Sequence, residues 1–284
     1  MKRPAPSPTG LARRGQRLSD QETAQRMLEA AVAMVHRTGL TVSLEHLSLE
    51  DVIRAAGVSR SAVYRRWPYK DLFLSDLLKE LAQDATPEIV DQELQLIRRV
   101  AAQHQDRIET PDGRRSLILE LFRQLSALDF EIMYASTEWR TYITLHATFL
   151  SLADGELRQQ VQAALARSER RRSLRIAQSW ERLAAIFGYQ LRPELGVSYE
   201  TLATLLSAQL RGLVLMALAD PDLATQRLEA RPSGAAQRDV WTIAGIGLAS
   251  TATTILEPDP SVEWDAARLA AVRGALQSLR APSR

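Results

Sequence analysis

The sequence contains no cysteine, which removes disulfide scaffolds, thiol nucleophiles and cysteine-ligated zinc or iron–sulfur centres together. Its four histidines, His36, His46, His104 and His146, stand apart and in no metal-ligand spacing such as His-Glu-x-x-His. It has neither a glycine-rich phosphate loop nor a Gly-x-Ser-x-Gly nucleophile elbow. No metal, no cofactor and no catalytic residue is therefore expected, and the chain does not read as an enzyme. Long apolar runs are scarce as well. The longest uncharged stretch, Val240 to Leu256, is short for a bilayer span and carries Thr242, Ser250, Thr251, Thr253 and Thr254. Arg13 and Arg14 lack the following apolar stretch of an export signal. A cytoplasmic protein with no membrane partner is the expectation.

What is present is ordinary in bulk and uneven in placement. Hydrophobic residues make up 45% of the 284 positions and charged residues 25%, enough apolar surface for a core and length for two domains or a small module on a larger body. Lys and Arg number 36 against 34 acids, a formal charge of +2, so the distribution says more than the sum. Lys2, Arg3, Arg13, Arg14 and Arg17 form one acid-free group. Arg60, Arg65, Arg66 and Lys70 form a second.

Pro4, Pro6, Pro8 and Gly10 among basic and polar residues predict a flexible arm over residues 1–18. Ser19-x-x-Glu22 has the form of a capping box, and Ala24, Leu28, Ala31 and Val35 follow at helical spacing up to Gly39. A second helix is predicted from Ser48 to Ala56, with Leu47 and Val52 as a hydrophobic staple and Gly57 as its stop. A third starts at Ser59 and ends near Trp67, because Pro68 follows. A fourth runs from about Tyr69 towards Ala85. Beyond Pro87 the periodicity is helical throughout, in segments 88–105, 112–128, 130–151, 155–188, 199–219, 235–256 and 262–280, with no strand or hairpin signal. The expected fold is all-α: a helix-turn-helix domain over 19–85 and a larger helical domain over 86–284.

Two short helices joined by a glycine-containing turn are the pattern of a helix-turn-helix, whose second helix enters the DNA major groove. Ser59, Ser61 and Ala62 are small enough for close approach to phosphate at the positive end of that helix. Arg60, Tyr64, Arg65 and Arg66 follow, with Lys70 beyond. Arginine chelates guanine O6 and N7, whereas a lysine more readily meets phosphate. From the residues alone the same pattern also fits two capped helices of an ordinary bundle with a solvated basic face.

The run DVIRAAGVSRSAVYRRWPYKDLF over 51–73 resembles the signature of the TetR family of bacterial transcriptional regulators. That signature reads Ile-Ala, three residues, Gly-Val-Ser, three residues, Leu-Tyr, two residues, Phe, two residues, Lys-Glu. Gly57, Val58, Ser59, Tyr64 and Lys70 match outright and Trp67 replaces the usual aromatic. The resemblance implies that Ser48 and Ser59 meet phosphate, that Arg60, Ser61, Tyr64, Arg65 and Arg66 face double-stranded operator DNA, and that Lys70 grips its backbone. Ala62 in place of a common Thr, and Arg66 in place of His or an aromatic, depart from the pattern and bear on which operator is read; Val52-Ile53 in place of Ile-Ala is a packing change.

The resemblance further implies a homodimer through the helices around 199–219 and 235–256, with Gly245, Gly247, Ala249 and Ser250 permitting close helix approach, and a small-molecule effector site in the body. Tyr134, Trp139, Tyr142, His146, Phe149, Trp180 and Phe187 are the candidates to line it, since an apolar site wants aromatics with a few polar groups; as core residues they would look the same. Arg167, Arg170, Arg171, Arg172 and Arg175 read as a solvated helix face, with contact to nucleic acid or an acidic ligand as the minor alternative. The function expected is a ligand-responsive bacterial transcriptional repressor released from its operator by the effector. The alternative is a helical ligand-binding or protein-interaction protein that no longer uses its DNA-binding module. In neither case does the arm decide, since a basic arm either enters a minor groove or solubilises.

Overall fold

Ser19 opens the first helix, α1 (Asp20–Thr38), with a complete capping box: its hydroxyl accepts from Glu22 N at 3.0 Å, and the Glu22 carboxylate accepts from Ser19 N at 2.7 Å. The box satisfies two otherwise orphaned N–H groups, each cap contributing about 1 kcal/mol. The computed structural model describes residues 19–40, 47–83, 90–232, 235 and 237–279. The expected arm over 1–18 and the expected domain boundary at 85–86 lie outside the described residues.

α2 (Leu49–Ala56) and α3 (Arg60–Arg66) are each capped by a serine, Ser48 to Asp51 N and Ser59 to Ala62 N, both at 3.3 Å. Gly57 ends α2 at φ 64°, a left-handed conformation that costs an L-residue roughly 1–2 kcal/mol and glycine nothing. That reversal lets α3 start two residues later. α4 (Lys70–Gln83) follows, and Val52, Ile53, Val63, Trp67, Phe73 and Leu77 close on Met27, Ala31 and Val35 of α1 as one core. Trp67 meets Phe73 edge-on with ring centroids 5.1 Å apart, and its indole N–H donates to Asp76 at 2.9 Å. The same core continues into the body through Leu145, Val161, Ala164 and Leu165.

The body comprises α5 (Val90–Gln103), a 3-10 turn over 105–109, α6 (Pro111–Ala135), α7 (Thr137–Ser151), α8 (Glu156–Phe187), α9 (Tyr199–Ala219), the short α10 (Asp222–Thr225), α11 (Ile243–Ile255) and α12 (Ala266–Gln277). The fold is all-α, with two corrections in detail. A break near residue 129 is absent, because nothing between Pro111 and Ala135 stops a helix; the chain turns instead at Ser136, whose hydroxyl caps α7 through Trp139 N at 3.3 Å. The expected helix over 235–256 starts only at Ile243, where the Thr242 hydroxyl accepts from Gly245 N at 2.9 Å. The residues before it form strands. β1 (Tyr189–Leu191) pairs antiparallel with β4 (Leu256–Pro258), and β2 (Arg227–Ala230) with β3 (Asp239–Thr242), in registers Gln190↔Glu257 and Leu228↔Trp241. Strands of three or four residues are too short to print an alternation in sequence.

Two apolar clusters hold the body. One joins α6, α9 and α11 through residues such as Phe122, Leu202, Leu206, Leu248 and Ala252. The other joins α5, α12 and the end of α8 through Leu96, Val100, Phe187, Val272 and Leu276. Gly188, at φ 66°, turns the chain out of α8 directly beneath Trp264, so close that a Cβ there would lie 2.8 Å from the ring. Trp264 in turn lies 3.7 Å beneath the Arg114 guanidinium.

Candidate nucleic-acid interface and body cavity

α3 divides cleanly into an inner and an outer side. Val63 and Trp67 are buried, while Arg60, Ser61, Tyr64, Arg65 and Arg66 are exposed. The Tyr64 ring is an exposed aromatic, 45% accessible. Arg66 lies over the Trp67 ring with its guanidinium carbon 5.7 Å from the centroid, so the buried indole steadies the base of the cationic row. Ser48 and Ser59 both use a hydroxyl lone pair for their caps, and the Ser59 hydroxyl also shares a hydrogen bond with that of Ser61 at 3.4 Å. Burial pushes the Asp76 carboxyl up, but hydrogen bonds from Lys79 and Trp67 more than reverse this and hold it below the usual range. Asp76 therefore stays an anion that fixes Trp67, and with it the roll of α3.

The helix itself has no carboxylate, but its neighbours supply two. Glu50, in the first turn of α2, pairs with Arg60 at 2.6 Å and accepts from the Tyr64 hydroxyl at 3.2 Å. Asp20, at the start of α1, pairs with Arg65. Sequence reasoning missed both because the acids lie 10 and 45 positions away in the chain. Lys70 begins α4, half-buried and engaged with the rest of the protein.

The body encloses a cavity of about 170 Å³ between α5, α6, α8, α9 and α11. Of the seven aromatic and histidine candidates, Trp180 is on its wall. Trp139 and Tyr142 are buried beside it in the core, stacked edge-on with centroids 5.2 Å apart, and His146 leans on Tyr142 and shares a hydrogen bond with its carbonyl at 3.0 Å. Tyr134 stacks on Phe130 in the α6–α9–α11 cluster, Phe149 packs towards the helix-turn-helix core, and Phe187 belongs to the α5–α12 cluster. The wall is instead made of leucines and polar residues, of which Glu93, Asp129 and Arg211 were not foreseen and Arg172 belongs to the basic run over 167–175. A signal for Asp129 was present, since it falls between the buried Leu125 and Met133 at i±4 on one face of α6.

Arg172 corrects the reading of residues 167–175 as a solvated face. Its guanidinium is turned inward, 4.8 Å over the Trp139 ring, and its Nη1 is buried with no hydrogen-bond partner among the described residues. Burial, then the like charge of Arg211, lowers its pKa to about 10. Arg211 is itself held by Glu169 at 2.9 Å and by the Tyr142 hydroxyl. Burial raises the Glu169 carboxyl, and Arg211 and the Tyr142 hydrogen bond overcome it, so Glu169 stays ionised. The carboxyls of Glu93 and Asp129 face one another, and burial raises both, Asp129 well above the usual carboxylate range.

On the outside of the body, α9 carries an apolar stripe. Leu202, Leu206, Leu210 and Val214 are buried, whereas Leu205, Leu215 and Met216 are 43%, 53% and 56% accessible. By length and composition α9 is apolar enough to cross a membrane, but its inner ridge is part of the body's core. The small residues of α11 are split: Gly245 and Ala249 are buried against the body, Gly247 is half-buried and Ser250 is exposed. Gln209 bridges the two helices by donating to the Thr251 hydroxyl at 2.9 Å.

No family model and no curated protein matches the chain. Among solved structures it is similar to a complex of SmeT with triclosan, at 19% identity and a TM-score of 0.39, over 86% of this chain and 99% of that one. It is also similar to SmeT described as the repressor of the Stenotrophomonas maltophilia multidrug efflux pump SmeDEF, at 20% identity and a TM-score of 0.36, over 83% and 93%. A third is TylP, a TetR regulator from Streptomyces fradiae, at 16% identity and a TM-score of 0.36, over 93% and 94%. TylP carries the family name that residues 51–73 also suggest, at a likeness that leaves function to be argued from this chain's own residues.

Proposed function

We propose that the protein is a ligand-responsive bacterial transcriptional repressor of the TetR kind, which binds operator DNA as a homodimer and is released by a small-molecule effector. The observation that carries this reading is the outer side of α3, where Arg60, Ser61, Tyr64, Arg65 and Arg66 stand exposed together on a helix whose roll is fixed by buried Val63 and Trp67. A short, serine-capped helix of that composition offers bidentate arginines to base edges and a positive N-terminus to phosphate. Ser48, Ser59 and Lys70 flank it and are the backbone contacts in this reading.

The apolar stripe of α9, continued by Ser250 and Gly247 of α11, supports the second part. Two copies related by a two-fold would join these pairs into a four-helix interface and set the two reading helices at half-sites roughly 34–36 Å apart. An effector in the body cavity, walled by α8 and α9, would bias that spacing and so the population on DNA. Replacing Tyr64, Arg65 and Arg66 together by alanine tests the core of the proposal: binding to promoter DNA selected by the intact protein should fall at least a hundredfold and lose salt dependence. Undiminished binding would assign DNA contact to another surface or to none.

A further inference from the structure

The polar groups of the body cavity do not balance. Four arginines, Arg172, Arg175, Arg182 and Arg211, line it against two carboxyls, Glu93 and Asp129. Arg211 is neutralised by Glu169 at 2.9 Å. Glu93 and Asp129 lie face to face, and burial raises both carboxyls, which favours a proton shared between them. Arg182 is exposed at the mouth, where a cation draws anions inward. Deeper in, Arg172 rests one guanidinium face on Trp139, which supplies no acceptor, and its Nη1 is buried and unpaired among the described residues. A buried charged donor without an acceptor is costly and rare, and a native structure keeps one where something else completes it. The rest of the wall is mostly apolar, with Leu94 and Ile97 contributed by α5, Met133 by α6 and Leu248 by α11.

We propose that this cavity binds an apolar monocarboxylic acid, its carboxylate seated on the Arg172 guanidinium and its hydrocarbon part against the leucine-rich wall. The inference rests on reading the body as effector-binding and names the chemical class of the effector. The planar fork of arginine matches a carboxylate in two parallel hydrogen bonds. An organic cation would have to sit beside Arg172 and Arg211 and strip the shared proton. A neutral amide would offer Nη1 a single uncharged acceptor, a weaker partner for a guanidinium than a carboxylate.

Octanoate, octanamide and octylammonium share one chain and differ in head group, so calorimetry of the three against the full-length protein without DNA isolates the charge. Octanoate should bind at least tenfold tighter than octanamide, with octylammonium weakest. Arg172→Met should bring octanoate to within about twofold of octanamide while leaving octanamide unchanged, and Arg172→Lys should recover part of the difference. Equal affinities, tighter binding of octylammonium, or no binding of any probe overturns the proposal, and the comparison on the unmodified protein decides even if the variants do not fold. Octanoate that binds through Arg172 yet leaves promoter DNA binding unaltered would uphold the acid site and overturn the effector reading instead.

Discussion

Gly57 and Gly188 both sit at positive φ, 64° and 66°, but in different surroundings. A Cβ at Gly57 would meet nothing within 4 Å, so Gly57→Ala carries only the backbone penalty, about 1–2 kcal/mol. At Gly188 the same atom would lie 2.8 Å from Trp264, whose ring is held from its other side by Arg114 at 3.7 Å. Gly188→Ala should therefore cost more than Gly57→Ala by at least about 1 kcal/mol, as overpacking does. Urea midpoints compare them, and equal losses would mean that Trp264 swings aside freely. Asp129 makes a prediction of opposite sign. Its carboxyl is raised in the folded state, so its contribution is fully favourable only below the unfolded pKa and is lost as pH rises through the folded one. Glu93 on α5 and Arg172 on α8 are the charges that face it. Asp129→Asn keeps the shape and removes the titration, and should stabilise the protein more at pH 8 than at pH 5, by about 1 kcal/mol or more. Melting curves at the two pH values test this; a gain confined to pH 5 contradicts it.

At the scale of elements, the reading helix is not the bare cationic rod that its own residues describe. Glu50 on α2 and Asp20 on α1 occupy Arg60 and Arg65, so in the proposed complex DNA would displace two carboxylates before it gained those arginines. The Arg60 and Glu50 side chains are 72% and 38% exposed, which limits the pair to roughly 0–1 kcal/mol. Glu50→Gln should raise DNA affinity about two- to fivefold, the exchange equivalent of that energy. It should also lower stability by a few tenths of a kcal/mol, since an acid is lost from a helix N-terminus. Fluorescence anisotropy with promoter DNA reads the first effect and thermal melting the second; a fall in affinity would assign Glu50 itself to recognition. Arg65→Ala should reduce the slope of log affinity on log salt by about 0.9 if Arg65 meets one phosphate.

For the whole molecule, packing joins segments that the chain keeps far apart. The 88–112 segment and the chain after Pro260, distant in sequence, come together as α5 and α12, with Arg98 donating to the Leu279 carbonyl and Arg273 pairing with Glu109 at 2.9 Å. Both reach the cavity, α5 through Glu93, Leu94 and Ile97, and the segment after α12 through Leu279. The exposed stripe of α9 is where a second copy is proposed to dock. A residue near the two-fold of an isologous interface meets its own copy, so Leu215→Glu should place like charges together. Sedimentation should then show a monomer, with DNA affinity reduced because the half-sites are no longer bridged; a dimer that persists would move the interface elsewhere.

The sequence by itself determined the local structure of the first four helices. Capping serines at 19, 48 and 59, a left-handed glycine at 57 and a proline at 68 act within a few residues of where they stand, so their consequences are readable in order along the chain. It also determined the side of α3 that faces outward, because Val63 and Trp67 declare the other side. Only the tertiary structure decided which charges are paired and which are stranded. Glu50 reaches Arg60 and Arg211 reaches Glu169 across separate helices, while Arg172, one of five arginines in a run that looks solvated, turns inward and leaves its Nη1 without an acceptor among the described residues. The same holds for the cavity wall, where leucines from separate helices displace all but one of the expected aromatics. Periodicity marks a face as buried; whether that face meets close-packed neighbours or an enclosed space depends on how separate helices cross, which no local spacing encodes.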